Sequence, residues 1–326
     1  KSIDYFKNNR IMVIGDIIAD EFIEGRPERL SREAPVLILR RQKRNILPGG
    51  AANAANNITS LKGNVELVGI IGNDQAGDRL LDILDKREID TSGIIADQVR
   101  PTSLKTRILA GGDQVVKQQV VRIDHLDQDP IDSRIEEQLI KQVKDKIEDI
   151  DGLLLSDYGN GIFTTNLIQK LVKLGNENNK FVAVDSRYNL MNFPDATIAT
   201  PNLEEAGLAV GRELRTQEEV LSAGREIIEK LNLDYLLITQ GSEGMTLFYS
   251  SGDYLHIPVA NFSEVYDVTG AGDTVIGTLA LALAAEITIE SAMKLANYAA
   301  GIVVRKSGVA TVLPNELKEE VIKNEE

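Results

Sequence analysis

The stretch "DVTGAGDT", Asp267–Thr274, sets two glycines one residue apart, follows them with an aspartate, and runs on into the apolar "VIGTLALALAA". Gly270 and Gly272 allow a tight turn with no side chain over it. The first N–H groups of a helix beginning there have no partners inside the helix, and the dipole is positive at that end, so the turn attracts anions. An aspartate in such a place admits three readings. Asp273 is an N-cap that ties down the first turn. Alternatively, the glycines belong to a dinucleotide fingerprint; that pattern asks for a third glycine at 275, where this chain has Val275 and reaches its next glycine only at Gly277. In the third reading the N–H groups hold a phosphate while the Asp273 carboxylate takes the proton of an attacking hydroxyl. The first and third stay open on local sequence alone.

Composition limits the partners. The 326 residues carry 36 Lys and Arg against 50 Asp and Glu, a formal charge of −14. Nucleic acid and anionic membranes call for basic patches and are not expected as partners. Any anionic ligand must be met by positive charge gathered locally. With no cysteine there is neither a disulfide framework nor a thiolate metal site. Two histidines, His125 and His256, argue against a multi-histidine metal centre. The opening "KSIDYFKNNRIMVIGD" lacks a signal-peptide apolar core, and the apolar run around Leu279–Ala285 is too short to span a bilayer. A cytoplasmic location is expected.

The elements that must position such a site alternate in type. "IMVIGDI", "VELVGIIG", "GLLLSD", "FVAVD", "ATIAT" and "YLLITQG" read as strands buried on both faces. "GGAANAANNITSLKG", "DQAGDRLLDILDKREI", "IEEQLIKQVKDKIEDI", "TTNLIQKLVKLGNENN" and "TQEEVLSAGREIIEKLN" read as helices between them. The alternation predicts an α/β fold with a mostly parallel sheet covered on both sides. Ligands of open α/β sheets bind beyond the carboxyl ends of the strands. Gly15-Asp16, Ser156-Asp157, Asp185, Thr200-Pro201-Asn202 and Gln240-Gly241 stand at those ends and are site candidates as a set. Residues 18–45 and 102–123 break the pattern as basic hairpin material, the second turning at Gly111-Gly112-Asp113. Together they predict a small sheet standing over the strand ends as a lid. The acidic "ELKEEVIKNEE" at the far end reads as a fraying helix.

On "PGGAANAA" at 48–55, "PNLEEA" at 201–206 and "DVTGAGDT" at 267–274 the chain resembles the ribokinase-like (PfkB-type) carbohydrate kinases over nearly its whole length. Within them it is similar to the D-glycero-D-manno-heptose-7-phosphate 1-kinases, on "GRPERLSREAPVLIL", "QQVVRIDH", "LLLSDYG", "ITQGSEGM" and "ANYAAGIVVRKSGVATV". The resemblance implies a single domain over 1–326. Its fold would be a ribokinase-like three-layer sandwich with a mostly parallel central sheet and a small β-sheet lid from segments about 18–45 and 102–123. It implies ATP with Mg²⁺ as phosphoryl donor, and transfer to the anomeric C1 hydroxyl of heptose 7-phosphate. Other sugars of the family, such as ribose or fructose, are the alternatives, as is a sugar-sensing protein without turnover. A homodimer through the lid edges is a further expectation.

By the same resemblance Asp273 is the base, and Gly270, Ala271 and Gly272 bind the moving phosphoryl group. Asp16, Gly49, Gly50, Asn53 and Asp157 meet the sugar, and Lys105, Arg122 and Arg187 its phosphate. Asn202, Thr239, Gly241, Gly244 and Asn297 take the nucleotide. Glu205 holds Mg²⁺ through water, and Asp267 and Thr269 line a monovalent-cation (K⁺) loop. Asn202 and Glu205 also have the spacing of a capping box, a role compatible with the other. The chain departs from the family pattern in two places. Asn160 stands where relatives carry lysine, and Asp20-Glu21-Phe22 where they carry Arg-Tyr after the first acid. Both departures bear on the sugar rather than on phosphoryl transfer. The chain lacks the H-x-G-H of the nucleotidyltransferase fused to many relatives, so that second activity is not expected.

Overall fold

A computed structural model describes residues 2–112, 117–260, 267–306 and 308–325. The runs of Val, Ile and Leu become strands whose alternate side chains face opposite ways. On β1 (Arg10–Gly15), Ile11 and Val13 enter one core while Met12 and Ile14 enter the other. Both faces of the sheet are therefore covered, which is why the strands read as continuous apolar runs.

The large sheet continues through β4 (Asn64–Gly72), β5 (Asp90–Asp97), β8 (Gly152–Asp157), β9 (Phe181–Ser186), β10 (Ile198–Ala199), β11 (Tyr235–Thr239), β12 (Met245–Tyr249) and β13 (Tyr254–Ile257). Its order is β13-β12-β11-β10-β9-β8-β1-β4-β5. Every pairing from β11 to β5 is parallel, and β12 and β13 close the other edge as an antiparallel hairpin. Of the expected strands "ATIAT" shrinks to the two residues of β10. Three strands went unanticipated: β5, whose "DTSGIIAD" is half-buried at an edge, and the hairpin partners β12 and β13.

On one face lie α1 (Ala51–Ser60), α2 (Gln75–Asp85), α7 (Ala271–Ala284), α8 (Ile289–Val303) and α9 (Pro314–Glu325). On the other lie α3 (Ser133–Lys146), α4 (Thr165–Glu177), α5 (Leu203–Val210) and α6 (Gln217–Leu231). Side chains set several of their starts: Asp74 caps α2, Asp132 α3 and Thr164 α4, and Thr216 with Glu219 forms a capping box on α6. Contrary to the fraying expected of it, α9 is packed down. Leu317 is fully buried, Lys318 pairs with Asp4, and Glu320 with Arg305.

The second sheet, ordered β3-β2-β6-β7, is the lid. It consists of β2 (Ile17–Leu30), β3 (Leu37–Gly50), β6 (Ser103–Ala110) and β7 (Gln118–His125). Each hairpin is antiparallel within itself, and the two join through a parallel pairing of β2 with β6. Gly111 and Gly112 follow β6 as expected, and Asp113 lies outside the described residues. β2 begins one residue after β1 ends, so a single residue, Asp16, carries the chain from one sheet into the other. β3 returns to Gly49-Gly50, where α1 starts.

Gly50 is the tightest point of that return. Its φ is +56°, and a Cβ there would press on the Asp16 carbonyl. Gly50→Ala should therefore cost at least the roughly 1–3 kcal/mol of a strained non-glycine backbone. Gly241, with φ +58° and nothing within 4 Å of a Cβ, is the control that carries backbone strain without the clash. Denaturant midpoints check this, and a Gly50→Ala midpoint equal to that of Gly241→Ala would show that the turn has room.

Candidate active site

Between the strand ends and the lid lies a cavity of about 500 Å³, the size of a small-molecule site. Its floor is the carboxyl ends of parallel strands: Asp157 of β8, Asp185 of β9, Thr200 after β10 and Thr239 of β11. The first turns of α5 and α7 form its walls, with Asn202, Glu205, Gly270, Gly272 and Asp273. Ile18 and Asp20 of β2, Lys105 and Arg107 of β6, and Arg122 of β7 close it from the lid.

The start of α7 bears on one reading of Asp273, the N-cap. Gly270 occupies the cap position in the left-handed conformation, φ +81°, and the helix has no side-chain cap. Asp273 is thus the third residue of the helix, and its carboxylate turns away from the cap position. The Asn53 amide donates to its Oδ2 at 2.6 Å and the Tyr158 hydroxyl to its Oδ1 at 3.0 Å. Gly270 must lack a side chain for this, since a Cβ would stand 2.9 Å from the Asn53 nitrogen. Over Gly272 a Cβ would meet nothing within 4 Å, so the turn opens on free space. The N–H groups of the first turn border that space. Asp273 is 5% exposed, and burial raises its pKa to about 6 against the opposing hydrogen bonds from Asn53 and Tyr158.

Besides Asp20 on the lid, three other carboxyl groups share the cavity. The Asp157 oxygens accept from Ser186 Oγ at 2.7 Å and from Gly159 N at 2.9 Å. Asp185 makes no side-chain hydrogen bond among the described residues; burial, then Glu205, Asp273 and Asp157, push its pKa well above the ordinary value. Glu205 closes the capping box of α5: its Oε2 accepts from Asn202 N at 2.9 Å, and Asn202 Oδ1 accepts from Glu205 N at 2.9 Å. Burial raises Glu205 as well. Unpaired carboxylate oxygens facing one another beside an anion-attracting turn suit a hydrated Mg²⁺, which is bound by hard oxygens and keeps several waters. No group of three or more His, Cys, Asp and Glu is arranged as a metal cage among the described residues. Glu205 therefore fits a water-mediated role rather than an all-protein site.

The lid supplies the opposite charge. Lys105 is 7% exposed and forms no ion pair among the described residues; its ammonium stands 5.3 Å over the Tyr158 ring, and burial lowers its pKa. Arg187, at the rim, stacks 5.6 Å over Tyr188 and likewise forms no ion pair among the described residues. Arg122 is differently placed, since Asp124 takes both its Nε and Nη2 at 2.7 and 2.6 Å. The anion introduced at Asp20 is met by Arg107 at 2.6 Å, and the Arg107 guanidinium lies over Phe22. Gly49 leaves room for that carboxylate, as a Cβ there would stand 2.5 Å from Asp20 Oδ2. The other departure, Asn160, does not line the cavity; it is buried, with its N–H on Asp16 and its carbonyl on Arg100.

Of the residues expected at the site, Asp273, Gly270, Gly272, Gly50, Asn53, Asp157, Lys105, Arg122, Arg187, Asn202, Glu205, Thr239 and Thr269 line this cavity. Seven others do not line it: Gly49, which stands against Asp20 as described, and six whose groups are engaged elsewhere. Asp16 spends Oδ2 on the N–H groups of Tyr158 and Asn160, at 2.7 and 3.1 Å, and burial raises its pKa to about 6. Ala271 donates its N–H to Val268 at 3.2 Å. Gly244, φ +89°, serves the turn into β12, where its carbonyl accepts from Gln240 N at 2.8 Å. Gly241 opens that same turn. The Asn297 amide donates to the Pro258 carbonyl at 2.8 Å. Asp267 accepts from the N–H groups of Thr269 and Gly308, holding together the loop that precedes α7. Tyr158, Arg107 and Asp20 were missing from the expected site. Tyr158 sat beside Asp157 in "SDYG", and Arg107 shares a strand face with Lys105 two residues away, so both signals were present.

Comparison with known proteins agrees with this geometry. The model of the pfkB family of carbohydrate kinases matches residues 8–316. The bifunctional protein HldE of Helicobacter pylori is 39% identical over 309 residues, 94% of this chain and 65% of that protein. HldE of Geobacter metallireducens is 39% identical over 307 residues, covering 94% of this chain and 61% of its own. The chain thus spans a little under two thirds of the length of these relatives. Phosphofructokinase-2 from Escherichia coli in complex with potassium superposes with a TM-score of 0.78 at 17% identity, over 98% of this chain and 100% of that one. Ribokinase from Arabidopsis thaliana complexed with ribose and ATP gives 0.73 at 18% identity, over 96% and 98%. These two likenesses show a ribokinase-like fold. With its family model matched from residue 8 to residue 316, the chain belongs to the pfkB family of carbohydrate kinases, ATP-dependent enzymes that phosphorylate sugars.

Proposed function

We propose that the chain transfers the γ-phosphoryl group of MgATP to the anomeric C1 hydroxyl of D-glycero-D-manno-heptose 7-phosphate. The observation that carries the choice of acceptor is Lys105: an ammonium 7% exposed, with no carboxylate paired to it, in the cavity that holds Asp273. A buried, unpaired charge is costly, and an anionic ligand relieves that cost. In a chain of net charge −14 the distant field repels a sugar phosphate, so the cation must be local.

The residues divide the work. Asp273 accepts the hydroxyl proton as the sugar oxygen forms its bond to the γ-phosphorus and the bond to the leaving ADP oxygen breaks. The first-turn N–H groups beside Gly270 and Gly272 take up the charge of the moving phosphoryl group. Mg²⁺, when bound, neutralises phosphate oxygens, and Glu205 would hold it through water. Asp157 and Asn53 orient sugar hydroxyls; the Asn53 Oδ1 is buried without a partner among the described residues. Thr239 and Asn202 border the side where the nucleotide enters. Asp267 and Thr269 would shape a cation loop ahead of α7. Val120, Val121 and Ile123 on β7, with Val36 and Leu37 at the start of β3, leave apolar side chains exposed on the lid edges. That exposure supports a homodimer through the lid. No described helix is long and apolar enough to cross a membrane, and a cytoplasmic location is part of the same reading.

Asp273→Asn should lower kcat by about 10²–10⁴ with nucleotide and sugar affinity nearly kept. Turnover within threefold of the parent would remove Asp273 from the chemistry. Because the base must be ionised and its pKa is raised to about 6, kcat/KM in the parent should climb through pH 6 and level off above it. A profile flat from pH 5 to 8 contradicts that.

Lys105→Ala and Arg187→Ala should each reduce kcat/KM for heptose 7-phosphate by roughly 10–150-fold, the worth of one charge-assisted hydrogen bond, and leave the free sugar unaffected. Arg122→Ala should do less, because Asp124 already occupies its donors. A parent enzyme that uses ribose, fructose or unphosphorylated heptose equally well refutes this acceptor and leaves the kinase chemistry standing.

Glu205→Gln preserves the capping box, since glutamine also accepts at that position. Its melting temperature should match the parent's, while the Mg²⁺ concentration for half-maximal rate rises severalfold. Early melting with an unchanged Mg²⁺ requirement would make Glu205 a structural residue.

A further inference from the structure

Tyr158 lies in "LLLSDYG", one of the stretches on which the resemblance rests, and with no role assigned to it there it touches both ends of the acceptor site. Its hydroxyl donates to Asp273 Oδ1 at 3.0 Å, and the Lys105 ammonium stands 5.3 Å from its ring centroid. The backbone that carries it is held in turn. Its N–H donates to Asp16 Oδ2 at 2.7 Å, and the neighbouring Gly159 and Asn160 N–H groups are bound by Asp157 and Asp16. A phenol held at its hydroxyl and covered on a ring face has little freedom, so the carboxylate it meets is fixed with it.

We propose that Tyr158 is a positioning residue that couples the phosphate-binding end of the site to the base. Its ring carries the Lys105 ammonium, and its hydroxyl orients one oxygen of the Asp273 carboxylate. The inference rests on Asp273 being the base. With Asn53 holding Oδ2 at 2.6 Å, the second donor on Oδ1 fixes the plane of the carboxylate, and so the direction in which its remaining lone pairs face the sugar hydroxyl. It also favours the ionised form. Asp20 from β2, Glu205 from α5 and Asp185 from β9 oppose the ionisation of Asp273, and Asp157, Lys105, Arg107, Arg122 and Arg187 line the same cavity. Burial and the Asp273 carboxylate keep the phenol itself protonated well above neutral pH, so it remains a donor throughout the working range. On the opposite face a cation over an aromatic ring gains attraction without spending any of its three N–H donors. Lys105 is thereby held in place and still free to bind a phosphate.

Two substitutions separate the two contacts. Tyr158→Phe keeps the ring and removes the hydroxyl. With heptose 7-phosphate as acceptor, KM should stay within about twofold, while kcat falls roughly 10–100-fold, the scale of one hydrogen bond to a charged group. Removing a donor from the ionised form raises the pKa of Asp273, so the acid limb of kcat/KM should move to higher pH. Tyr158→Leu removes the ring as well, and KM for the sugar phosphate should then rise a further ~3–30-fold. Melting curves fix a temperature at which every variant is folded, and the acid limb is read there. Tyr158→Phe with the parent's kcat and acid limb would overturn the coupling, as would a Tyr158→Phe that matches Tyr158→Leu in KM. Asp273→Asn is run beside them. If it retains activity, the base assignment fails; if it is inactive and the Tyr158→Phe limb is unmoved, only the role of Tyr158 fails.

Discussion

Carboxyl groups of like charge, brought together where water is scarce, are the constraint on which this molecule depends. Asp157, Asp185, Glu205 and Asp273 all face one cavity, and three of them carry pKa values raised by burial. Such a cluster lowers stability at neutral pH, because each raised carboxyl binds its proton more tightly folded than unfolded. For Asp273 the stabilisation is complete below the ordinary carboxylate value near 4 and is lost as pH rises through about 6. The fold tolerates this because two cores, one on each face of a nine-stranded sheet, supply stability elsewhere. Under the proposed role of Asp273 the return is chemical: a carboxylate of that pKa is ionised at neutral pH and still basic enough to take a hydroxyl proton.

The lid answers the same constraint with opposite charge. It places Lys105, Arg107 and Arg122 around the cavity, where Arg187 joins them from the loop after β9, and only some of the four are paired among the described residues. Arg107 and Arg122 are occupied by Asp20 and Asp124. Lys105 and Arg187 form no ion pair among the described residues. For the proposed acceptor, what counts is less how many cations line the site than which of them the protein has already neutralised.

How far the sequence could be read follows the range of the interactions involved. The α/β layering was readable because two-sided burial writes itself as unbroken apolar runs, and the lid because basic hairpins interrupt them. The turn at Gly270 and the helix start after it were readable from local rules, but not whether Asp273 caps the helix. That depended on Asn53 and Tyr158, which lie 220 and 115 residues away in sequence. The pairing of Asp20 with Arg107 spans 87 residues and was equally hidden. Asp20 consequently read as an unexplained anion when it is a neutralised one. β5 escaped notice because an edge strand buried on one side carries too little apolar signal, and β10 was overread because two residues between two longer strands need no run of their own. Asp16 stood at a strand end, as sugar-binding residues do, yet its carboxylate faces the loop beside it. The pattern indicates where a strand stops, not which neighbour its last side chain finds.

Asp16 also has a mechanical meaning. The sheet that carries the catalytic loops and the sheet that covers them share one uninterrupted backbone, and Asp16 is the single residue between β1 and β2. Its own N–H is bound to Ser156, its carbonyl to Ala51 at the start of α1, and its carboxylate to the loop bearing Tyr158. The cover is therefore a lever whose fulcrum is clamped on three sides. Any pivot of the cover must load those clamps, and they lead to α1 and to the loop after β8, whose Asn53 and Tyr158 hold Asp273. The hairpin that extends 14 residues along β2 is in this way tied back to one carboxylate.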